Sequence, residues 1–259
     1  MNELVSIVTT LYNYAHYLPS LADSVLRQTY SNWYWIIVDD FSEDNPLKVL
    51  RPLLNSKLSH RIKYIKLKNN YGYSIAKNEG IRASRGDYIA MIDADDMLTP
   101  KSIELRKKLL DDNSDKLWCH GEVLVTHGDS GDKSQESIVW KRNFRKKLIS
   151  QGMDLSKQYH HRLIHAQSVM VRPELHRKYG LYDPKLRFSS DNEMWRRIIR
   201  FSEIPAHTEE FVAIYRVHNA RMSRSPYKKQ RVGKVKKQII QDVERRFNEG
   251  INRSNTELW

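Results

Sequence analysis

Three carboxylates within four positions are the residues of this chain best suited to chemistry. Asp93-Ala94-Asp95-Asp96 follows the apolar run 88–92, which predicts a buried β-strand. Carboxylates this close repel one another unless a cation lies among them. Mg²⁺ or Mn²⁺ takes oxygen ligands and leaves room for phosphate oxygens, and open α/β sheets bind ligands where strands end. The motif therefore predicts a metal and diphosphate site, with a solvated turn as the simpler alternative.

A second pair of acids, Asp39-Asp40, follows the apolar run 35–38. A carboxylate at the end of a buried strand can accept a hydrogen bond from a nucleotide base or a ribose hydroxyl. It can equally cap the turn that follows the strand. The pair on its own leaves both roles open.

The segment Ser189-Ser190-Asp191-Asn192-Glu193 stands at the head of a predicted amphipathic helix. Asp191 could act as a general base that takes a proton from an acceptor hydroxyl. Ser190 and Glu193 also have the spacing of a capping box, and Asp191 suits the positive end of a helix. A structural role and a catalytic role are therefore both consistent with this segment.

His218, in Tyr215-Arg216-Val217-His218, lies in a region rich in arginine. A histidine with nearby arginines could bind a diphosphate or complete the ligand shell of a metal. A surface strand that leads into a basic tail would have the same composition.

The elements that must position these residues alternate between strand and helix. Strands are predicted at 5–11, 35–38, 62–67 and 88–92, with helices between them, which favours parallel pairing through crossovers. Further on, the pattern predicts a helix opening at Thr99-Pro100, a strand at 118–125, a helix at 191–201 and a helical segment reaching about Asn248.

We therefore expect an α/β protein with a mostly parallel central sheet flanked by helices. One catalytic domain would span 1–220, with a nucleotide-binding half at 1–110 and an acceptor half at 111–220. A basic helical extension would follow at 221–259.

Composition narrows the class of protein further. The single cysteine excludes an internal disulfide, the pattern at residues 1–11 is not that expected of a secretory leader, and no apolar run reaches about 20 residues. We expect a cytoplasmic protein, with peripheral attachment to the inner face of the membrane left open. The absence of P-loop, dinucleotide-binding, G-x-S-x-G and H-E-x-x-H motifs disfavours P-loop ATP hydrolysis, hydride transfer, serine hydrolysis and zincin chemistry.

The order of the motifs resembles that of family 2 glycosyltransferases of the GT-A fold. The opening strand and loop of that family are matched by 5–13, and its S-x-x-x-Q-T helix end is matched by 24–29. Its V-D-D-G-S is matched by 38–42 with Phe41 in place of Gly, and its N-x-G-x-x-x-A-R-N by 70–78 with Lys77 in place of Arg. Its DxD motif and its acceptor-side G-x-F-D segment correspond to 93–95 and 180–183.

The resemblance implies an inverting transferase that uses a nucleotide-diphosphate sugar, most often a UDP-sugar, together with Mn²⁺ or Mg²⁺. It places the general base at Asp191, with Glu193 as the alternative, and the base contact at Asp39. It places the metal at Asp95, with Asp93 and His218 beside it. The nucleotide-sugar site that the resemblance implies consists of Thr10, Leu11, Tyr12, Asp39, Asp40, Asn70, Lys77, Asp93 and His218.

The acceptor is less well defined by the sequence. Glycans and lipid-linked glycans are the acceptors expected from the resemblance. The net charge of +13 and the basic run from Arg221 to Lys237 add an anionic membrane surface or a nucleic acid as possible partners. Two alternatives follow: transfer to a hydroxylated nucleic-acid base, and a non-catalytic sugar- or nucleic-acid-binding module. A sugar-1-phosphate nucleotidyltransferase would need a glycine-rich loop that residues 11–15 do not provide.

Overall fold

The computed structural model describes residues 3–128, 132–134, 144–155, 160–187, 189–219 and 226–251, with the backbone alone at 132–134, 162 and 226–236. A nine-stranded sheet forms its centre. The strands are β1 (Val5–Leu11), β2 (Trp33–Asp39), β3 (Ile62–Lys66), β4 (Tyr88–Asp93), β5 (Met97–Leu98), β6 (Trp118–His127), β7 (Asp132–Ser134), β8 (Val169–Val171) and β9 (Ala206–Val217).

Helices cover both faces of this sheet. The α-helices are α1 (Leu18–Leu26), α2 (Pro46–Leu54), α3 (Tyr73–Arg82), α4 (Ser102–Asp111), α5 (144–150), α6 (Pro173–Tyr179), α7 (Ser190–Arg200) and α8 (Pro226–Asn248).

The first half of the sheet is fully parallel, as the alternating pattern predicted. Strands β3, β2, β1 and β4 lie side by side in that order. Their register places Thr10 beside Asp93 and Leu11 beside Asp39. The carboxyl ends of three neighbouring strands therefore meet at one edge of the sheet, where their polar residues come together.

The second half of the sheet mixes directions. Strand β8 runs antiparallel between β4 and β6, whereas β9 is parallel to β6 and antiparallel to the short β5. Pairing of β5 with β9 delays the helix expected at Thr99-Pro100, because Thr99 Oγ1 donates to Phe211 O and keeps the chain extended. Helix α4 consequently begins at Ser102.

Two apolar layers result from the alternation of side chains along the strands. Val5 and Ile7 of β1 face a core shared with α1, α2 and α4, whereas Val8 faces a core shared with α3, α6 and α7. The predicted parallel sheet with helices on both faces is therefore present.

Part of the motif at 24–29 serves packing and not ligand binding. Gln28 is buried, and its amide nitrogen donates to Ser24 O at 2.9 Å and to Thr99 O at 2.7 Å. Its amide oxygen accepts the Ile103 N–H at 3.0 Å. Gln28 thus fastens α1 to the start of α4.

The C-terminal helix does not behave as a separate extension in its second half. Ile239 and Val243 of α8 are buried, and the ring of Phe247 lies 5.4 Å from that of Phe201 at the end of α7. This half of α8 therefore packs on α7, which belongs to the domain predicted at 1–220. Most of the basic run falls on 220–225, outside the described residues, or on 226–236, where only the backbone is described.

No helix in the described part of the chain has both the length and the apolar character that crossing a bilayer requires.

Gly86 offers a direct test of how closely the parallel strands pack. A Cβ at this position would lie 2.6 Å from Leu4 O and 2.6 Å from Ser6 N, which are backbone atoms that cannot move aside. We expect Gly86→Ala to lower the free energy of unfolding by about 1–3 kcal/mol, measured by urea titration. Gly250→Ala measures the cost of a Cβ at positive φ alone, because no atom lies within 4 Å of the new Cβ. An unchanged free energy of unfolding in Gly86→Ala would contradict steric crowding at Gly86.

Candidate active site

A cavity of about 680 Å³ opens at the edge where the parallel strands end. It is bounded by the loop after β1, the ends of β2 and β4, the start of α3 and the loop before α7. Its lining residues are Thr10, Leu11, Tyr12, Asn13, Tyr14, Asp40, Asn70, Gly72, Tyr73, Ala76, Asp93, Asp95 and Arg187.

Asp93 lines this cavity, and its negative charge is paired with a lysine of α3. Lys77 Nζ, buried on α3, donates to Asp93 Oδ1 at 2.8 Å. The hydroxyls of Thr10 and Tyr73 donate to the same carboxylate at 3.2 Å. Lys77 was expected to contact the nucleotide, but its side chain is only 1% exposed and does not line the cavity. Its position makes it the counterion of Asp93.

Asp95 lines the cavity two residues further on. His218 Nε2 lies 2.9 Å from Asp95 Oδ2 and is itself buried between the rings of Tyr14 and Tyr17. His218 therefore meets the site through Asp95, and not through the cavity wall. The structure thus brings together the predicted pair of Asp95 and His218 across 123 residues of sequence.

Asp96, the third acid of the cluster, does not belong to the site. It is 1% exposed, and its Oδ1 accepts the Arg216 N–H of β9 at 2.8 Å. Burial, reinforced by the charges of Asp95 and Asp93, raises the pKa of Asp96 well above its usual value. Its role is to hold the acidic turn against β9.

Asp39 differs from the base contact that the resemblance implied. Its carboxylate is fully buried, accepts the Ser42 N–H at 2.7 Å and also accepts the Tyr64 hydroxyl. Both oxygens are thus used to shape the turn after β2, and Asp39 does not line the cavity.

Asp40 is the acid of this pair that lines the cavity. Its two oxygens accept the N–H groups of Tyr71 at 2.7 Å and Gly72 at 2.8 Å, and burial raises its pKa. Each carboxylate oxygen has a second lone pair, so a ligand donor can still bind there. Asp40 also fixes the loop that contains Asn70, the predicted residue beside it in the cavity wall.

Phe41 adopts the backbone conformation for which the family pattern uses glycine. Its φ is 69°, a region that costs a bulky residue free energy. The turn is imposed by its neighbours, since Ser42 N–H is held by Asp39 and Lys66 Nζ donates to Ser42 O at 3.2 Å. The substitution therefore leaves the turn intact.

The loop after β1 forms one wall of the cavity, as predicted for Thr10, Leu11 and Tyr12. Asn13 and Tyr14 extend this wall beyond the predicted residues. Asn13 takes a φ of 55° and its side-chain oxygen accepts the Glu43 N–H at 2.9 Å. Asn tolerates left-handed backbone well, which is the one sequence signal that could have marked this position.

Asp191 is in the first turn of α7, beside the cavity and partly exposed. The hydroxyls of Tyr182 and Tyr73 lie close enough to lower its pKa, and Tyr73 lines the cavity. Burial raises the pKa of Asp191 to about 6, and the nearby Lys77 ammonium opposes this increase. A carboxyl group with this pKa can exchange a proton near neutral pH.

Glu193, the alternative base, is committed to ion pairs. Its side chain is 2% exposed, and Arg197 Nε lies 2.6 Å from its Oε1. Arg246 of α8 approaches the same oxygen at 3.3 Å. Ser189, with a φ of 61°, takes the N-cap position without a side-chain cap bond, so the predicted capping box with Ser190 does not form.

Two hydrogen-bonded contacts join α3 to the segment before α7. Asn78 and Tyr182 exchange bonds, with the Asn78 amide donating to Tyr182 O at 2.8 Å and accepting Tyr182 N–H at 2.9 Å. Ser74 Oγ donates to Leu186 O at 2.6 Å. The helix that carries Lys77 thus fixes the loop that leads to Asp191.

Arg187 and Tyr73 line the cavity but were not predicted from the sequence. Arg187 is exposed, and its Cγ lies 3.7 Å from the Cβ position of Gly72. It is the cationic side chain among the lining residues that the structure describes. Arg187 stands outside the motifs and Tyr73 occupies an unspecified position of the motif at 70–78, so only the fold brings them to this edge.

The donor atoms at this site fit a hard divalent cation that takes part of its ligands from a substrate. Asp95 offers a carboxylate at the cavity surface, and His218 orients it. The described residues contain no group of three or more metal-binding side chains. Mg²⁺ in particular is often held by one or two carboxylates, with phosphates and water completing its shell.

The model of the family described as "Glycosyl transferase family 2" matches residues 6–180. An uncharacterized glycosyltransferase of Methanocaldococcus jannaschii is 30% identical over 88% of this chain and 76% of its own length. The putative teichuronic acid biosynthesis glycosyltransferase TuaG of Bacillus subtilis is 25% identical over 87% of this chain and 83% of its own length.

Other relatives are longer than this chain. An uncharacterized glycosyltransferase of Rickettsia typhi is 29% identical over 85% of this chain, which spans 65% of that protein. The chain spans 33% of a related glycosyltransferase of Rickettsia felis.

Solved structures share the fold at low sequence identity. Residues 1–349 of S. aureus TarS, solved with UDP-GlcNAc, superpose with a TM-score of 0.64 at 14% identity, covering 86% of this chain and 61% of that one. The mannosyltransferase PcManGT from Pyrobaculum calidifontis, solved with GDP-Man and Mn²⁺, gives 0.63 at 15% identity, covering 83% and 57%. The chain therefore belongs to glycosyl transferase family 2 and has the GT-A fold expected from its motifs.

Proposed function

We propose that the protein is an inverting glycosyltransferase that moves a sugar from a nucleotide-diphosphate donor, a UDP-sugar, to a hydroxyl of a glycan or lipid-linked glycan. The observation that carries this proposal is the cavity itself. It brings Asp40, Asp93, Asp95 and Arg187 to one edge of the sheet. Asp191 lies close enough to this edge for the charge of Asp93 to shift its pKa. The ligands of TarS and PcManGT, a UDP-sugar and a GDP-sugar with Mn²⁺, support the class of donor.

The nucleotide would lie along the ends of β1 and β2. Asp40 and Asn70 offer hydrogen-bonding groups to the base and ribose, beside the wall formed by Thr10, Leu11 and Tyr12. The buried Asp39 supports this arrangement by fixing the turn that presents Asp40.

The diphosphate would lie between α3 and the acidic turn. The N-terminus of α3, at Gly72 and Tyr73, faces the cavity, and helix N-termini favour negative charge. The exposed Arg187 adds a positive charge to the wall of the cavity. When bound, a divalent cation held by Asp95, with His218 behind it and Asp93 alongside, would offset charge on the leaving diphosphate.

Asp191 would act as the general base toward the acceptor hydroxyl. Its pKa of about 6 leaves Asp191 ionised yet more basic than an ordinary aspartate at neutral pH. Attack by the acceptor oxygen on the anomeric carbon forms the new C–O bond as the bond to the diphosphate breaks. One displacement of this kind inverts the configuration, and the acceptor proton passes to Asp191.

A glycan acceptor is favoured over a nucleic acid. The name of the Bacillus subtilis relative, which concerns teichuronic acid, indicates an anionic glycan.

The first test of the proposed function is a panel of sugar donors. UDP-, GDP-, CMP- and TDP-sugars would be incubated with Mn²⁺ or Mg²⁺, and slow donor hydrolysis would be followed by mass spectrometry. Metal-dependent release of UDP from one sugar is the expected result. Absence of both turnover and nucleotide binding across the panel would overturn the proposal in favour of a binding module without activity.

Two substitutions should separate donor binding from chemistry. We expect Asp95→Asn to lose metal-dependent UDP binding, since it removes the proposed ligand. We expect Asp191→Asn to keep UDP binding but to lower kcat by about 10²–10⁴-fold, the range typical of a general base. UDP binding by calorimetry and transfer by mass spectrometry are the two measurements. Full transfer by Asp191→Asn would remove Asp191 from the mechanism.

The pH profile should show the raised pKa of Asp191. A base acts only when ionised, so the rate should be level above pH 6 and fall about tenfold per pH unit below it. An ordinary aspartate would place this fall near pH 4. The measurement is kcat/KM for transfer between pH 4.5 and 8, with UDP binding over the same range as the control. A profile that is flat down to pH 5 would contradict this assignment.

Arg187 should contribute to donor affinity. Hydrogen bonds to charged groups contribute about 1.5–3 kcal/mol, so Arg187→Met should raise the donor KM by roughly tenfold or more. Lys185→Met is the matched control, because Lys185 is exposed on the same loop but does not line the cavity. Unchanged KM in Arg187→Met would show that its guanidinium does not reach the donor.

A further inference from the structure

We propose that Arg246, on the C-terminal helix α8, is a positioning residue that holds the proposed base Asp191 toward the cavity. This inference rests on the proposed function, since it concerns the base of that reaction. It assigns a role in the catalytic half to a helix that the sequence had placed outside the domain.

Arg246 is a buried charge that joins three parts of the chain. It is 1% exposed. Its guanidinium lies 3.3 Å from Glu193 Oε1 on α7 and 3.2 Å from Asp183 Oδ2 in the segment before α7. It also pairs with Asp242 one turn earlier on α8. A planar guanidinium can meet several carboxylates at once in a fixed geometry, which a lysine ammonium cannot do as well.

Arg197 completes the network on the other side of Glu193. Its Nε lies 2.6 Å from Glu193 Oε1, and its second terminal nitrogen lies 3.1 Å from Oε2 and donates to Leu181 O at 3.0 Å. The remaining terminal nitrogen donates to Tyr179 O. Helix α7, the segment 179–183 and α8 are therefore tied together by two buried arginines.

Both partners of Arg246 stand next to the groups that hold the base. Glu193 follows Asp191 by two residues in the first turn of α7. Asp183 follows Tyr182, whose buried side chain lies close enough to Asp191 for the two to shift each other's pKa. A shift of either partner would move Asp191 or the tyrosine beside it, and misplacement of a reacting group by about 1 Å can cost two orders of magnitude in rate.

The apolar contacts of α8 already account for its docking on α7. Ile239 and Val243 are buried, and Phe247 packs near Phe201. Arg200 adds an exposed pair with Glu244 at 3.1 Å. A charged residue at 246 is therefore not needed to attach the helix, and its specific contribution is the orientation of Glu193 and Asp183.

The test compares Arg246→Met with Arg245→Met in the full chain. Arg245 is the matched control, because it lies one residue away and pairs only with exposed or half-exposed acids, Asp242 and Glu249. We expect Arg246→Met to lower kcat by about tenfold or more with the donor KM within about twofold of wild type. Hydrogen exchange of amides 181–200 should become faster while strands β1 to β4 keep their protection. The control variant should change neither.

Wild-type kcat and unchanged exchange at 181–200 in Arg246→Met would overturn the inference. If that variant fails to fold, Arg246→Lys is the second test, because it keeps the charge and loses the planar contact with both acids. A reduced kcat with retained KM in the lysine variant supports a positioning role, and wild-type kcat rejects it. If wild-type protein transfers no sugar from any donor, the proposed function fails, while the exchange data still decide whether Arg246 orders this segment.

Discussion

The pairing of the acids in the turn after β4 with groups from elsewhere in the fold is the constraint on which the rest of the site depends. Three acids follow one another at the end of β4, and each contacts a different partner. Asp93 contacts the Lys77 ammonium, Asp95 contacts the His218 imidazole, and Asp96 accepts the backbone N–H of Arg216. These partners come from α3 and from β9, so both halves of the sheet must be folded before the turn is stable. Its formation therefore joins the parallel half of the sheet to the half of mixed direction.

Neighbouring acids that look alike in the sequence also have different roles in the structure. Asp96 and Asp39 are buried and bonded to protein donors in turns, whereas Asp95 and Asp40 line the cavity. In each pair, the acid bonded chiefly to the protein interior supports the one that faces the ligand. The same division separates Glu193, paired with arginines, from Asp191, which lies two residues earlier in the same turn and beside the cavity.

Much of this architecture could be predicted from local pattern. Strand β1 begins and ends as predicted, and the alternation of strands and helices correctly indicated the parallel half. The cavity residues Thr10, Leu11, Tyr12, Asn70 and Asp95 followed from motifs. Sequence could not tell Asp39 from Asp40, because adjacent strand residues face opposite sides and only the turn decides which one reaches solvent.

The residues that were missed depend on long-range contacts. Arg187 reaches the cavity only because α3 fixes the loop before α7, and β5 exists only because β9 pairs with it. Helix α8 was separated from the domain because its basic composition outweighs a few buried positions. Arg246 is indistinguishable in sequence from the exposed arginine beside it.

The reciprocal hydrogen bonds between Asn78 and Tyr182, together with the bond from Ser74 to Leu186, hold α3 and the loop before α7 together. The start of α3 lines the cavity, and the loop before α7 leads to Asp191. A displacement of α3 would therefore move the loop that leads to Asp191 as well.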